Sequence, residues 1–209
     1  MRDYVAWHDA YGQPGSPLWR RLQVVVELIG GALDEAAPGP RRFVSLCAGQ
    51  GADILTVAAD HPRGSDLVGR LVELDAENAR VAAGRVEDQG LTGVEVRVAD
   101  AGNTDAYEGA VPADLVVACG IFGNVSTEDI ERTVRAFPSL CAPRGWVVWT
   151  RHPREPRVLD RIEGWFESAG FERHTLRVDE EHGFAVGLHR LTVDPTPFTP
   201  GQPLFTFLH

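Results

Sequence analysis

Apolar runs of strand length alternate with helical segments along most of this chain. The strand-like runs are FVSLCA, LVGRLVEL, VEVRVA, DLVVAC and GWVVWT. Segments of helical length lie at about 53–60, 76–89, 127–140 and 156–169. Val- and Leu-rich strands that alternate with helices are typical of a parallel sheet covered by helices on both faces. The pattern therefore predicts an α/β fold.

The C-terminal part of the chain departs from this alternation. The runs FERHTLRV and FAVGLHRL are joined only by DEEHG. Such a connection is too short for the crossover that parallel strands require. An antiparallel hairpin is therefore expected to replace the last parallel step.

The flanking segments suggest three parts. Apolar residues at helical spacing in 17–36, after Pro17 at the first turn, predict a helix that packs on the main domain. We expect an N-terminal helical segment and candidate lid at 1–39, a ligand-binding domain at 40–192 and a Pro-rich tail at 193–209. Alternating apolar residues near the end of the tail indicate that it docks on the protein.

Net charge argues against a nucleic-acid partner. The 209 residues carry a formal charge of −10, and every Lys or Arg position is Arg. A negative surface repels phosphate backbones unless basic residues gather on one face. Nucleic acid is therefore not the expected partner.

Other classes of protein are disfavoured by the absence of their signals. The N-terminal stretch lacks the apolar core of a signal peptide, and no run approaches the roughly 20 apolar residues of a membrane span. We expect a cytoplasmic protein without a membrane partner. Cys47, Cys119 and Cys141 form no metal-ligand pattern with each other or with His, so no metal is expected. A homodimer is left open.

The stretch VSLCAGQGADI, residues 44–54, places two glycines at the end of the first predicted strand. Open α/β sheets bind ligands at such strand ends. A dinucleotide fingerprint is disfavoured because Ile54 occupies the third glycine position and Asp53 would repel a pyrophosphate. A P-loop is excluded because the chain has no Lys. A ligand with a ribose and a zwitterionic tail, such as S-adenosylmethionine, fits better.

Acidic residues follow the next two predicted strands. Asp75 comes after the second strand, close to where an acid receives ribose hydroxyls. Asp100 comes after the third strand, where its carboxylate can accept from an adenine amino group. Two acids at successive strand ends support a bound nucleoside.

The ordered set of motifs resembles the class I S-adenosylmethionine-dependent methyltransferases over residues 40–192. These motifs are SLCAGQG, VELD, VADA, ADLVVACGIFGNV and PRGWVVW. The GQG turn alone is a weak signal, whereas the ordered set is strong. The resemblance implies a Rossmann-like, mainly parallel seven-stranded sheet with helices on both faces and a C-terminal antiparallel hairpin.

The resemblance also implies S-adenosylmethionine as the cofactor and assigns the residues that bind it. These residues are Cys47, Ala48, Gly49, Gly51, Asp53, Glu73, Asp75, Asp100, Ala101, Cys119 and Gly120. The chain departs from the family pattern because Ser45 stands in the strand where an acid often opens the first motif. It also lacks an N/D-P-P-Y/F motif, which disfavours methylation of nucleobase amino groups.

A closer similarity is to small actinobacterial methyltransferases of unassigned substrate, which share WH-x-AY, SLCAGQG-x-D, CG-x-FGN and WTRH. We expect methyl transfer to oxygen or nitrogen of a small-molecule acceptor. An RNA or protein methyltransferase and a non-catalytic cofactor-binding module are the alternatives.

Candidate catalytic and substrate residues follow from the same motifs. Asn124 follows the fourth strand, where the methyl group of this family points, although it is equally explained as a turn residue. His152 follows the fifth strand and is a candidate base for an acceptor that must lose a proton, or it shapes the turn. The candidate substrate contacts are Tyr4, Trp7, His8, Tyr11 and Phe122.

Overall fold

The structure is a computed structural model that describes residues 13–154 and 156–208. Its strands are β1 (Arg41–Leu46), β2 (Leu67–Glu73), β3 (Val94–Val98), β4 (Ala113–Ala118), β5 (Cys141–Arg151), β6 (Phe171–Asp179) and β7 (Phe184–Leu191). Its α-helices are α1 (Pro17–Glu35), α2 (Ala52–Asp60), α3 (Ala76–Asp88), α4 (Thr127–Leu140) and α5 (Pro156–Ser168). Short 3₁₀ turns lie at Gly64–Asp66 and Thr104–Tyr107.

The strands form one seven-stranded sheet in the order β3-β2-β1-β4-β5-β7-β6. Strands β1 to β5 pair in parallel, whereas β7 is antiparallel to both β5 and β6. This arrangement confirms the predicted α/β sheet and its C-terminal hairpin. Strand order reverses between β1 and β4, so the carboxyl ends of these two strands flank the crevice where such sheets bind ligands.

Side chains of the sheet enter two hydrophobic cores in alternation, as the two-residue period of a strand requires. Val116 packs with α4 and α5 on one face, whereas Leu115 and Val117 pack with α1 and α2 on the other. Both faces of the central strands are therefore covered, which explains why β4 is apolar at nearly every position.

Helix α1 is part of the main fold. The Ser16 hydroxyl caps it by accepting from the Trp19 N–H at 3.0 Å, and Pro17 occupies the first turn. Its buried face includes Leu28 and Ile29, which belong to the core shared with α2. No helix in the described ranges is long and apolar enough to cross a membrane.

The C-terminal tail, residues 193–208, returns from β7 to the loops that follow β3 and β4. The Leu204 N–H donates to the Gly102 carbonyl at 2.7 Å, and the Leu208 N–H donates to the Asn124 carbonyl at 2.8 Å. A Cβ on Gly102 would lie 2.4 Å from the Phe205 carbonyl oxygen, so only glycine permits this approach. The tail therefore docks on the protein, as its apolar residues suggested.

Candidate functional site

A cavity of about 500 Å³ opens at the carboxyl ends of β1 to β4, beside α1. Its lining comprises the turn after β1, the start of α2, the end of β2 with the turn that follows it, the loops after β3 and β4, three residues of α1, and one residue each from α3 and the tail. The lining residues on which the site depends are Arg21, Cys47, Ala48, Gly49, Asp53, Glu73, Leu74, Asp75, Asp100, Ala101, Cys119, Gly120, Asn124 and Phe207. The structure therefore gathers at one edge almost all of the residues that the sequence assigned to a cofactor.

The two glycines of the GQG turn serve different purposes. Gly49 lines the cavity, and its backbone lies in the left-handed region, at φ 55°. Gly51, at φ 68°, caps α2 and is absent from the cavity lining. A Cβ on Gly51 would lie 2.7 Å from Cδ1 of Leu55 and 3.1 Å from Cδ1 of Leu71. Gly49 thus borders the ligand space, whereas Gly51 permits packing beneath the turn.

Cys47 begins the same turn in a left-handed conformation, at φ 50°, which is uncommon for a residue with a side chain. Such conformations cost on the order of 1–3 kcal/mol and concentrate at functional sites. The next residue, Ala48, is held in place because its N–H donates to the Val72 carbonyl at 2.9 Å. The turn after β1 is thereby tied to the end of β2.

Glu73 strengthens this link through its carboxylate. Its Oε2 accepts from the Gly49 N–H at 2.7 Å, and its Oε1 accepts from the Asp75 N–H at 2.8 Å. The side chain lies between the first two strand ends and borders the cavity. Glu73 therefore shapes both turns and presents negative charge to the same space.

Asp75, the residue that the sequence favoured for a ribose, also caps α3. Its Oδ1 accepts from the N–H groups of Glu77 and Asn78 at 3.0 and 2.8 Å. These are contacts of an N-cap side chain. Asp75 reaches the cavity, but one of its carboxylate oxygens is committed to the helix.

The loop after β3 supplies Asp100 and Ala101. Oδ1 of Asp100 accepts from the Gly102 N–H at 2.8 Å, which folds the loop back on itself. The hydroxyl of the fully buried Tyr107 donates to the Ala101 carbonyl at 2.7 Å. This buried hydrogen bond, which no motif in the sequence indicates, holds the loop from its core side.

Asp53 and Arg21 place opposite charges at the cavity. Oδ1 of Asp53 accepts from the Ile54 N–H at 2.7 Å in the first turn of α2. Burial raises the pKa of the Asp53 carboxyl, against the opposing effects of its backbone hydrogen bonds and of the charges of Arg21 and Arg85. Sequence reasoning missed Arg21. The available signal was its position one helical turn before the buried Val25, on the inward face of α1.

The two cavity thiols stay protonated at neutral pH. Burial raises the pKa of Cys47, and the charges of Glu73 and Asp100 raise it further. Burial also raises the pKa of Cys119 well above its usual range. The raised pKa values disfavour the thiolate, which is the nucleophilic form, so neither thiol is activated for attack by its surroundings.

Of the two predicted catalytic residues, Asn124 lies at the cavity. Its Nδ2 donates to the Gly120 carbonyl at 2.8 Å. The Gly120 N–H in turn donates to Oγ1 of Thr150 at 2.8 Å. These bonds hold the loop after β4 in the shape of a turn, in agreement with the structural interpretation of Asn124, while keeping its side chain beside the ligand space.

His152 is absent from the cavity lining and packs on the turn of the last hairpin. Its Nδ1 accepts from the Arg154 N–H at 3.0 Å. A Cβ on Gly183 would lie only 2.7 Å from Nε2 of His152, so the ring rests directly against that glycine. Desolvation there, together with the charges of Arg154 and Arg151, lowers the pKa of His152. The structure therefore places His152 in the turn-shaping position, apart from the described site.

Of the predicted substrate residues, the structure describes Phe122, which does not line the cavity. Phe122 is fully buried in the core, with its ring centroid 5.8 Å from that of Trp149 and 6.5 Å from that of Phe137. Tyr4, Trp7, His8 and Tyr11 lie outside the described residues. Across the described ranges, no group of three or more His, Cys, Asp and Glu side chains converges as a metal site.

Solved structures of methyltransferases share this fold. An O-methyltransferase family protein from Burkholderia thailandensis superposes with a TM-score of 0.66 at 17% identity, over 83% of this chain and 56% of that chain. This chain thus spans little more than half the length of that protein. Magnesium protoporphyrin IX methyltransferase from Synechocystis PCC 6803, solved with bound SAH (S-adenosylhomocysteine), superposes with a TM-score of 0.66 at 11% identity, over 90% of this chain and 93% of that chain.

A third match comes from a protein with a different role. The fibrillarin pre-rRNA processing protein of Methanococcus jannaschii superposes with a TM-score of 0.60 at 12% identity, over 76% of this chain and 70% of that chain. No protein-family model matches the sequence, and no curated protein matches it significantly. At these identities the likeness establishes a shared fold.

Proposed function

We propose that this chain, which has the fold of the class I S-adenosylmethionine-dependent methyltransferases, binds S-adenosylmethionine and transfers its methyl group to a small-molecule acceptor. The observation that carries the proposal is a single cavity, at the point where strand order reverses, into which the glycine turn and the strand-end acids converge. Magnesium protoporphyrin IX methyltransferase, which shares the fold, was solved with both SAH and SAM.

The nucleoside is proposed to lie over the ends of β2 and β3. We place the ribose at Glu73 because its carboxylate lies between the turns that follow β1 and β2, and each of its oxygens accepts one backbone N–H and keeps a second lone pair for a ribose hydroxyl. Asp100 faces the adenine side from the next strand. Leu74 lies between Glu73 and Asp75 in the sequence, lines the cavity and is 66% exposed. Its side chain therefore offers an apolar surface to the adenine ring.

The methionine tail is proposed to lie between α1 and the start of α2. Its carboxylate matches the guanidinium of Arg21, and its ammonium group matches the carboxylate of Asp53. The opposite charges act on each other, since Arg21 opposes the upward shift of the Asp53 pKa. A zwitterionic tail would satisfy both groups at once.

With the nucleoside and the methionine tail so placed, the methyl group of S-adenosylmethionine is proposed to face the loop after β4. The cofactor supplies a methyl group that is already activated on a sulfonium sulfur. This chain's contribution is to align an acceptor oxygen or nitrogen with it, which is worth about 7–11 kcal/mol when reacting atoms are held about 3–3.5 Å apart. Asn124 and the Gly120 backbone border that position.

His152 is not needed for this proposal. We expect His152→Ala to change turnover on the identified acceptor by less than about threefold and to leave SAH affinity unchanged, because the ring lies against Gly183. Steady-state kinetics across pH provide the measurement. A loss of about 10²-fold in turnover with intact SAH binding would restore His152 as a base.

The test of function has two arms. Calorimetry should show binding of both S-adenosylmethionine and SAH to the wild-type protein. Conversion of S-adenosylmethionine to SAH should then depend on acceptor when phenols, carboxylates, amines, a peptide mixture and RNA are supplied in turn. Binding without acceptor-dependent conversion would favour the non-catalytic module, and no binding would refute the proposed cofactor.

A further inference from the structure

The C-terminal tail is bonded to both loops that border the proposed reaction centre. Beyond the main-chain bonds of Leu204 and Leu208, the Thr206 N–H donates to Oδ2 of Asp129 at 2.8 Å. The Leu204 carbonyl accepts from Oγ1 of Thr133 at 3.0 Å and from Nε of Arg132 at 3.1 Å. Leu204 is fully buried. The tail is therefore held to a fixed path by bonds along its length.

This path brings Phe207 to the cavity. Phe207 pairs with Val125 as an isolated antiparallel bridge, one residue after Asn124. Its ring meets that of the buried Phe205 edge to face, with centroids 5.6 Å apart and planes at 74°. One side of Phe207 is thus fixed by protein, while the residue stays 37% exposed and lines the cavity.

Phe207 is the single aromatic residue among the described residues that line the cavity. Phe207 lies on the β4 side of the cavity, with Gly120 and Asn124. The acids Glu73 and Asp100 lie on the other side, at the ends of β2 and β3. An exposed phenyl face at a cavity gains most from a flat apolar partner.

We propose that the tail forms a wall of the acceptor pocket and that Phe207 selects acceptors with a flat, uncharged aromatic body bearing a hydroxyl or amino group. This inference rests on the proposed function, because it takes the β4 side as the place where the methyl group is delivered. The ring packs on the acceptor body, and the anchored backbone of the tail keeps that surface at a set distance from the Asn124 loop.

The experiment separates the cofactor from the acceptor. SAH binding is measured first by calorimetry for wild type, Phe207→Ala, Phe207→Leu and Leu208→Ala. Binding of 2-naphthol to each SAH complex is then measured by saturation-transfer NMR, with glucose as a polar probe. Leu208→Ala is the matched control because that side chain is 65% exposed, is absent from the cavity lining and leaves the main-chain bond to Asn124 in place.

We expect 2-naphthol, and not glucose, to bind the wild-type complex. Phe207→Ala should weaken 2-naphthol binding at least fivefold with SAH affinity within twofold of wild type, Phe207→Leu should weaken it less, and Leu208→Ala should change neither. Thermal melting checks that each variant folds. No SAH binding by wild type would refute the proposed function itself.

Three results would overturn the inference while leaving the proposed function intact. The first is SAH binding without 2-naphthol binding to wild type. The second is equal 2-naphthol affinity in wild type and Phe207→Ala. The third is a loss of SAH affinity in Phe207→Ala as large as the loss for 2-naphthol, which would place the ring against the cofactor.

Discussion

Glu73 and Asp75 are two residues apart in the sequence and are proposed to have different roles. Glu73→Gln should weaken SAH binding by about tenfold or more, since a hydrogen bond to a charged group is worth about 1.5–3 kcal/mol. Asp75→Asn should change it by less than about threefold, because Asn also accepts from the N–H groups at a helix N-cap. Calorimetry of both variants decides the assignment, and the reverse order of effects would return the ribose to Asp75.

The raised pKa of Asp53 predicts a pH dependence of both binding and stability. An ionised carboxylate suits the ligand ammonium, so SAH affinity should rise with pH across the range in which Asp53 loses its proton, by at most about tenfold per unit. The stability effect has the opposite sign. A folded-state pKa above the unfolded value means that stability falls as pH rises from the ordinary carboxyl range, about 4, through the raised value.

Asp53→Asn removes this proton. The variant should bind SAH more weakly at neutral pH, with a flatter pH profile, and its melting temperature relative to wild type should increase as pH rises through the same window. Titration calorimetry and thermal melting from pH 4 to 8 provide the two measurements. Identical pH profiles for variant and wild type would mean that Asp53 does not titrate there.

At the scale of elements, the start of α2 depends on a glycine. Gly51→Ala should destabilise the protein by about 1–3 kcal/mol, because a left-handed backbone at φ 68° is strained for Ala and its Cβ would lie 2.7 Å from Leu55. Gly84→Ala is the control, since it lies inside α3 with nothing within 4 Å and Ala favours a helix there by about 0.5–1 kcal/mol. Urea unfolding should show a lower free energy of unfolding for Gly51→Ala and no decrease for Gly84→Ala.

For the whole molecule, the net charge of −10 bears on the choice of acceptor. We expect no tight binding of a 20-nucleotide RNA at physiological salt, because counterion release is small when few cations face the phosphates. Fluorescence anisotropy across a salt series tests this. Submicromolar binding that falls steeply as salt rises would instead favour an RNA acceptor.

Much of the architecture follows from the sequence because its causes are local. Alternating apolar runs and short polar connections predicted strands and helices close to those observed, and the lack of room for a crossover between β6 and β7 predicted their hairpin. The order of elements then brought Gly49 and Asp100 to one edge, since parallel strands end on the same side of a sheet.

The tertiary structure decided what no local pattern encodes. The bond from the Gly49 N–H to the Glu73 carboxylate joins two strand ends that are distant in sequence, and the arrival of Arg21 at the cavity depends on how α1 packs on the sheet. Phe207 reaches the site because hydrogen bonds draw the tail back across two loops. His152 does not line the cavity, because its ring packs against Gly183. Periodicity specifies which face of an element is buried, whereas contacts between residues distant in sequence exist only once the whole chain has packed.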